Sequence, residues 1–211
     1  MLKVLELYDR PDNALFVPEI GSSPEYVRYF YPVLAHGGIG FSPFGVDSNE
    51  LGPAGDVANE TRLAALAQEY LVAGPMMRQL AQWGFEGKLK AAIEREDHGE
   101  QSIDFGAWQM VAKFGAGRGR SAQTNAQPIG KVLVAQLGES EFVLVGTLCR
   151  LTFRPVGPNS GKAWQYLKVE EGLYEHGKWK LLRIRNGDET DWGGPRFGAI
   201  PAVLHITLIT R

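Results

Sequence analysis

Glu19 lies in the stretch LFVPEIGSSPEY, Leu15 to Tyr26, one residue past the apolar run ALFVP and just before a helix start. A carboxylate at the end of what reads as a buried strand needs a partner or a purpose. By residue type alone it is a helix cap, one half of a salt bridge, or a nucleophile. Asp47 follows a second apolar run, IGFSPF, in the analogous way, and there a turn-initiating aspartate is the plainer reading. Other reactive types are scattered. His36, His98, His176 and His205 occupy unrelated local settings without ligand spacing, so no metal site is expected. Cys149, between Leu148 and Arg150 in an apolar run, reads as a small core residue. Asp188, Glu189, Asp191 and Trp192, in RNGDETDWGGP, form an acidic turn, either a solvated loop or a contact for a cation or glycan.

Composition narrows the partners. The 211 residues are 44% hydrophobic, enough for one large domain or two small ones with a real core. Twenty-two Lys and Arg against 24 Asp and Glu give a formal charge of -2, with no basic excess for phosphates, so nucleic acid is not an expected partner. One cysteine excludes an intrachain disulfide and fits a reducing compartment. The N-terminal MLKVLELYDRPDN mixes charges with apolar residues, unlike a leader peptide, and no run approaches the ~20 apolar residues of a membrane span. The chain as given therefore reads as cytoplasmic.

The elements that must hold Glu19 and Asp47 alternate. ALFVP is the kind of continuous apolar run that parallel sheets bury on both faces. Ser23 as N-cap and Pro24 at the first position open a helix, which Pro32 should kink and His36-Gly37-Gly38 should end. IGFSPF is a second strand, followed by a turn-rich loop from Gly45 to Asp56. A second helix from near Val57 carries a stripe of Leu63, Leu66, Ala67, Tyr70 and Leu71. Gly74-Pro75 interrupts it, and Met76, Met77, Leu80 and Trp83 continue it to Gly84. After Gly87 the period becomes two. KLKAAIERE, Ile103 to Phe114, KVLVAQLG, EFVLVGTLCRLTFRP, a hairpin GLYEHGKWKLLRIR turning at His176-Gly177, and VLHITLIT predict six to eight antiparallel strands in a β-sandwich. Gly115 to Gly130 reads as an exposed loop, and Trp108, Trp164 and Trp179 as sandwich core rather than a carbohydrate platform. The expected fold is α+β, with residues 1–86 forming two β/α units and residues 87–211 the sandwich.

Two β/α units leave strand edges unpaired. In a (β/α)8 barrel, catalytic groups sit at the C-terminal ends of strands, which is where Glu19 falls. The runs DRPDNALFVPEIGSSPEYVRYF and HGGIGFSPFGVD, with VAGPMMRQL, VAQLGESEF, FRPVGPNSGK and RIRNGDETDWG, resemble the C-terminal part of bacterial β-galactosidase-like proteins related to glycoside hydrolase family 35. The resemblance covers nearly the whole chain. It implies the last two units of a TIM barrel, with ALFVP and IGFSPF as strands seven and eight, followed by a β-sandwich.

The same resemblance implies roles. Glu19 would be the catalytic nucleophile of a retaining glycosidase. By residue type and position on or after that eighth strand, Phe41 and Phe44 are candidates to contact a sugar face and Asp47 to hydrogen-bond a sugar hydroxyl. The substrate would be an oligosaccharide or β-galactoside, with no cofactor. The acid/base glutamate of such enzymes belongs to the fourth barrel strand, in an Asn-Glu pair. Asn49-Glu50 and Asn59-Glu60 match by spelling only, since they follow the eighth strand. The chain is thus expected to be inactive alone and to oligomerise through exposed barrel edges, while a complete parent is compatible with a periplasmic or secreted location. The alternative is a non-catalytic module whose β-sandwich binds carbohydrate or protein.

Overall fold

The computed structural model of the chain describes residues 1–10, 12–44, 57–115 and 126–211, with the side chains of 57–62 excepted. It opens on a helix that the sequence reading lacks, α1 (Leu2–Tyr8), whose buried contact is Leu5 while Lys3 and Glu6 face outward. Strand β1 (Phe16–Ile20) then pairs in parallel with β2 (Gly40–Pro43). Helices α2 (Pro24–Val27) and α3 (Phe30–Ala35) connect them. β1 starts two residues later than ALFVP suggests and takes Glu19 into the strand, because its register is set by pairing Phe16 with Gly40 and Ile20 with Pro43.

Ser23 takes the N-cap position and Pro24 is the first residue of α2, as expected, although the Ser23 hydroxyl makes no capping hydrogen bond. The helix breaks at Arg28–Tyr29 rather than bending at Pro32. Proline's effect falls one turn back: Pro32 lacks the N–H for the Arg28 carbonyl four residues earlier, and its ring clashes with that carbonyl. His36 caps α3 and Gly37 leaves it at φ +69°.

Helix α4 (Val57–Ala73) passes through a 3-10 turn (Gly74–Met76) into α5 (Met77–Phe85). Its buried face differs from the expected stripe. Leu66, Glu69, Ala73, Met76 and Leu80 point inward, whereas Leu63, Tyr70 and Leu71 are exposed. Glu69 joins the buried face because it has a cation there: Lys131 Nζ lies 2.8 Å away, and both side chains are almost wholly buried.

The remaining strands are β3 (Leu89–Ile93), β4 (Gln101–Asp104), β5 (Trp108–Phe114), β6 (Lys131–Gly138), β7 (Glu141–Thr147), β8 (Cys149–Pro155), β9 (Trp164–Glu175), β10 (Lys178–Ile184) and β11 (Ala202–Thr210). They form two antiparallel sheets, one six-stranded in the order β10-β9-β11-β7-β6-β3 and one three-stranded in the order β4-β5-β8. Two runs expected to be single strands are each split. A tight turn, with the Phe105 N–H donating to the Trp108 carbonyl at 2.7 Å, divides β4 from β5. Leu148, at φ +49°, divides β7 from β8 and carries the chain from one sheet to the other. The β9–β10 hairpin turns at His176-Gly177, both at positive φ, as a two-residue turn of this kind requires.

The architecture is mixed α and β, dominated by antiparallel sheet, and it has two cores. Alternate residues of β6, β7 and β11 serve each: Val132, Val134, Phe142, Leu144, Leu204 and Ile206 face the three-stranded sheet. Leu133, Ala135, Val143, Val145 and Val203 face the helices and β1–β2. The six-stranded sheet is thus a middle layer covered on both sides. Among the described residues no helix is long and apolar enough to cross a membrane.

Candidate active site

Glu19 sits in a β-bulge. Val17 pairs with Phe41 and Ile20 with Pro43, so Pro18 and Glu19 together stand opposite Ser42. Pro18 fits this position because a bulge does not ask it for a ladder N–H. Glu19 takes φ +53°, the left-handed region that costs a non-glycine residue about 1–3 kcal/mol and that clusters at functional positions. Its side chain is exposed, and among the described residues its carboxylate has no hydrogen-bond or ion-pair partner. The cap of α2 is Ser23, so Glu19 does not cap that helix.

Phe44 shares this end of the sheet. Its N–H donates to the Ile20 carbonyl at 2.7 Å, directly beyond the bulge, and its ring is 53% exposed. Phe41 is placed otherwise. Its ring is buried with its centroid 5.6 Å from that of Phe30, and its carbonyl accepts the Tyr70 hydroxyl at 3.4 Å. Alternation along β2 makes this unavoidable: Phe41 and Pro43 point to the core and Ser42 away from it. Asp47 and Asn49-Glu50 lie outside the described residues, as do the side chains of Asn59-Glu60. Of the expected site residues, Glu19 and Phe44 therefore lie at the same end of the β1–β2 pair, whereas Phe41 belongs to the core.

Three of the four histidines have local partners. His36 Nδ1 lies 2.7 Å from Asp9, His98 Nδ1 lies 2.7 Å from Glu94, and His205 Nε2 meets the Tyr174 hydroxyl at 3.1 Å. Cys149 is fully buried, and burial pushes its thiol well above the usual range. Trp108 is core, donating to Ser140 Oγ at 3.0 Å, and Trp179 stacks on His205. The acidic turn has company the sequence reading missed. Arg150, Arg183, Arg185 and Arg196 gather around Asp188, Glu189 and Trp192 at a cavity of about 560 Å³. Arg183 and Arg185, two apart in a run that reads as a strand, share Glu171 as a partner; Arg150 and Arg196 join them only through tertiary structure.

A family model described as a domain of unknown function, DUF5597, matches residues 66–194, more than half of the chain. The chain belongs to the DUF5597 family. No curated protein matches it. The DUF5597 span begins inside α4, takes in α5 and β3 through β10, and ends in the loop of the acidic turn. Glu19 and the β1–β2 pair precede it.

Proposed function

We propose that this DUF5597 chain is the C-terminal portion of a retaining glycoside hydrolase, β-galactosidase-like and related to glycoside hydrolase family 35, with Glu19 as nucleophile. The observation that carries the reading is the left-handed bulge that holds an exposed carboxylate at the C-terminal end of a parallel strand beside a second parallel strand. Further support comes from the pair itself. β1 and β2 form a sheet of two strands among the described residues, and Phe16, Ile39 and Phe44 are exposed around it, as strands six and one of a barrel would require of their neighbours.

In this reading Glu19 attacks the anomeric carbon while a second carboxyl, about 5–5.5 Å away, protonates the leaving oxygen and then activates water. Phe44 offers its ring to the apolar face of the sugar. The second carboxyl belongs to the fourth barrel strand, which this chain does not contain. The purified chain is expected to leave a chromogenic β-galactoside unhydrolysed. In a complete homologous enzyme, the Gln substitution equivalent to Glu19→Gln is expected to lower kcat at least ~10³-fold while leaving thermal unfolding unchanged. Near-normal turnover by that variant would sink the nucleophile assignment. Hydrolysis by the chain alone that Glu19→Gln abolishes would instead refute the incomplete barrel.

A second reading, a non-catalytic sandwich module that binds carbohydrate or protein, is favoured by the arginine-lined cavity at the far end of β10.

A further inference from the structure

The cavity is built by four segments. Its floor is the β8 edge, where residues 195–198 run alongside: the Leu151 N–H donates to the Pro195 carbonyl at 2.9 Å and the Phe197 N–H to the Cys149 carbonyl at 2.8 Å. One wall is Arg183 of β10 with Arg185 just beyond the end of the strand, and the other is the loop 187–194. That loop is pinned. Gly194 takes φ +86° and presses so closely on the Leu151 carbonyl that a Cβ there would lie 1.9 Å from its oxygen. Buried Thr190 ties the loop together through its hydroxyl, 3.2 Å from the Gly187 carbonyl, and through its carbonyl, which accepts the Gly194 N–H at 3.0 Å.

The guanidiniums are not equivalent. Arg183 is held by Glu171 at 2.6 Å and Glu189 at 2.7 Å. Arg185 bonds Glu171 at 2.8 Å and the Arg196 carbonyl at 2.6 Å. A network that only fastened the loop would end there. Arg150 lies against Gly193 and has no carboxylate partner among the described residues, although Asp188 and Glu189 line the same cavity. Trp192, which lines the same cavity, is 79% exposed, a large apolar face that water solvates poorly. A volume of about 560 Å³ is typical of small-molecule sites, which run roughly 300–1,000 Å³.

We propose that this cavity binds a uronate-bearing oligosaccharide, with Arg150 taking the sugar carboxylate and Trp192 stacking on the ring. A guanidinium fork matches a carboxylate in a bidentate pair. An indole plane matches the C–H face of a pyranose, and the neighbouring carboxylates Asp188 and Glu189 can accept from its hydroxyls. The inference rests on the second reading, in which the sandwich is a binding module, and does not involve Glu19.

The test is calorimetric titration of the full chain with trisaccharides of galacturonate and of glucuronate, with neutral galactotriose, and with acetate and sulfate. At least one uronate trisaccharide is expected to bind at least tenfold more tightly than galactotriose, acetate or sulfate. Arg150→Met and Trp192→Ala, both at solvent-accessible positions, are each expected to weaken that binding at least tenfold with unfolding temperatures preserved. Acetate or sulfate binding as tightly as the uronates would make this a simple anion site and overturn the proposal. Galactotriose binding that Arg150→Met leaves untouched would overturn it too, yet keep the carbohydrate-binding reading. No binding of any sugar would remove both.

Discussion

His205 is held between two aromatic rings, with Trp179 stacked at 3.8 Å between centroids and Tyr174 contributing its hydroxyl. Burial drives its pKa down to about 4, against an upward pull from Glu170 and with a downward push from Lys168. The same burial pushes the Tyr174 hydroxyl up to about 12. In the unfolded chain the imidazole titrates near ~6.5, so between that pH and about 4 the unfolded state binds more protons than the folded one. Stability therefore falls as pH drops through this window, by on the order of 2 kcal/mol after allowance for the ring's exposed side. Urea midpoints measured from pH 7 to 4 should record this slope, and His205→Phe, which keeps the stack, should flatten it. An unchanged slope would assign the effect to other groups. Trp179 was expected in the sandwich core and packs instead on the helix-side core; that its partner is a histidine depends on β10 and β11 both flanking β9, which no local pattern states.

Among elements, the decisive contact is α4 on the middle sheet. Lys131 opens β6 and Glu69 sits mid-helix, and they meet in a seam beside Tyr31, whose hydroxyl burial pushes well upward with a further contribution from the Glu69 charge. Removing one partner strands the other. Lys131→Met should cost about 3–5 kcal/mol, whereas Lys131→Met with Glu69→Leu should come close to the parent, because the desolvation penalty disappears with both charges. Denaturant unfolding of both variants is the check, and equal losses in the two would disprove the coupling. Element types were largely legible here: the helix start at Ser23-Pro24, the turn at His176-Gly177 and period-two runs after Gly87 each have local causes. The face of α4 was not legible, because the helix is apolar on two sides and contacts distant along the chain, the apolar core around Leu66 and Ala73 together with Lys131, select which is buried.

At the scale of the whole molecule, the helices cover one face of a sheet whose other face closes the sandwich, and each face of β6 and β7 carries its own core. Unfolding should thus be a single transition, with tryptophan fluorescence and far-ultraviolet circular dichroism coinciding. Deleting residues 1–86 should expose Leu133, Ala135, Val143, Val145 and Val203 and yield aggregated protein, visible by light scattering. A soluble, sharply unfolding 87–211 fragment would contradict the shared core. A trace of this was present in the sequence: VLVA in β6 and FVLV in β7 are continuous apolar runs, the signature of strands buried on both faces, although antiparallel pairing pointed to a sandwich with one face in water. What the sequence determined by itself is what depends on near neighbours: helix or strand, where turns fall, and a carboxylate at the end of the first strand. What tertiary structure alone decided is what depends on register and on residues distant along the chain. The bulge that turns Glu19 outward, the burial of Phe41 and the gathering of Arg150 and Trp192 at one cavity arise from pairings that no periodicity encodes.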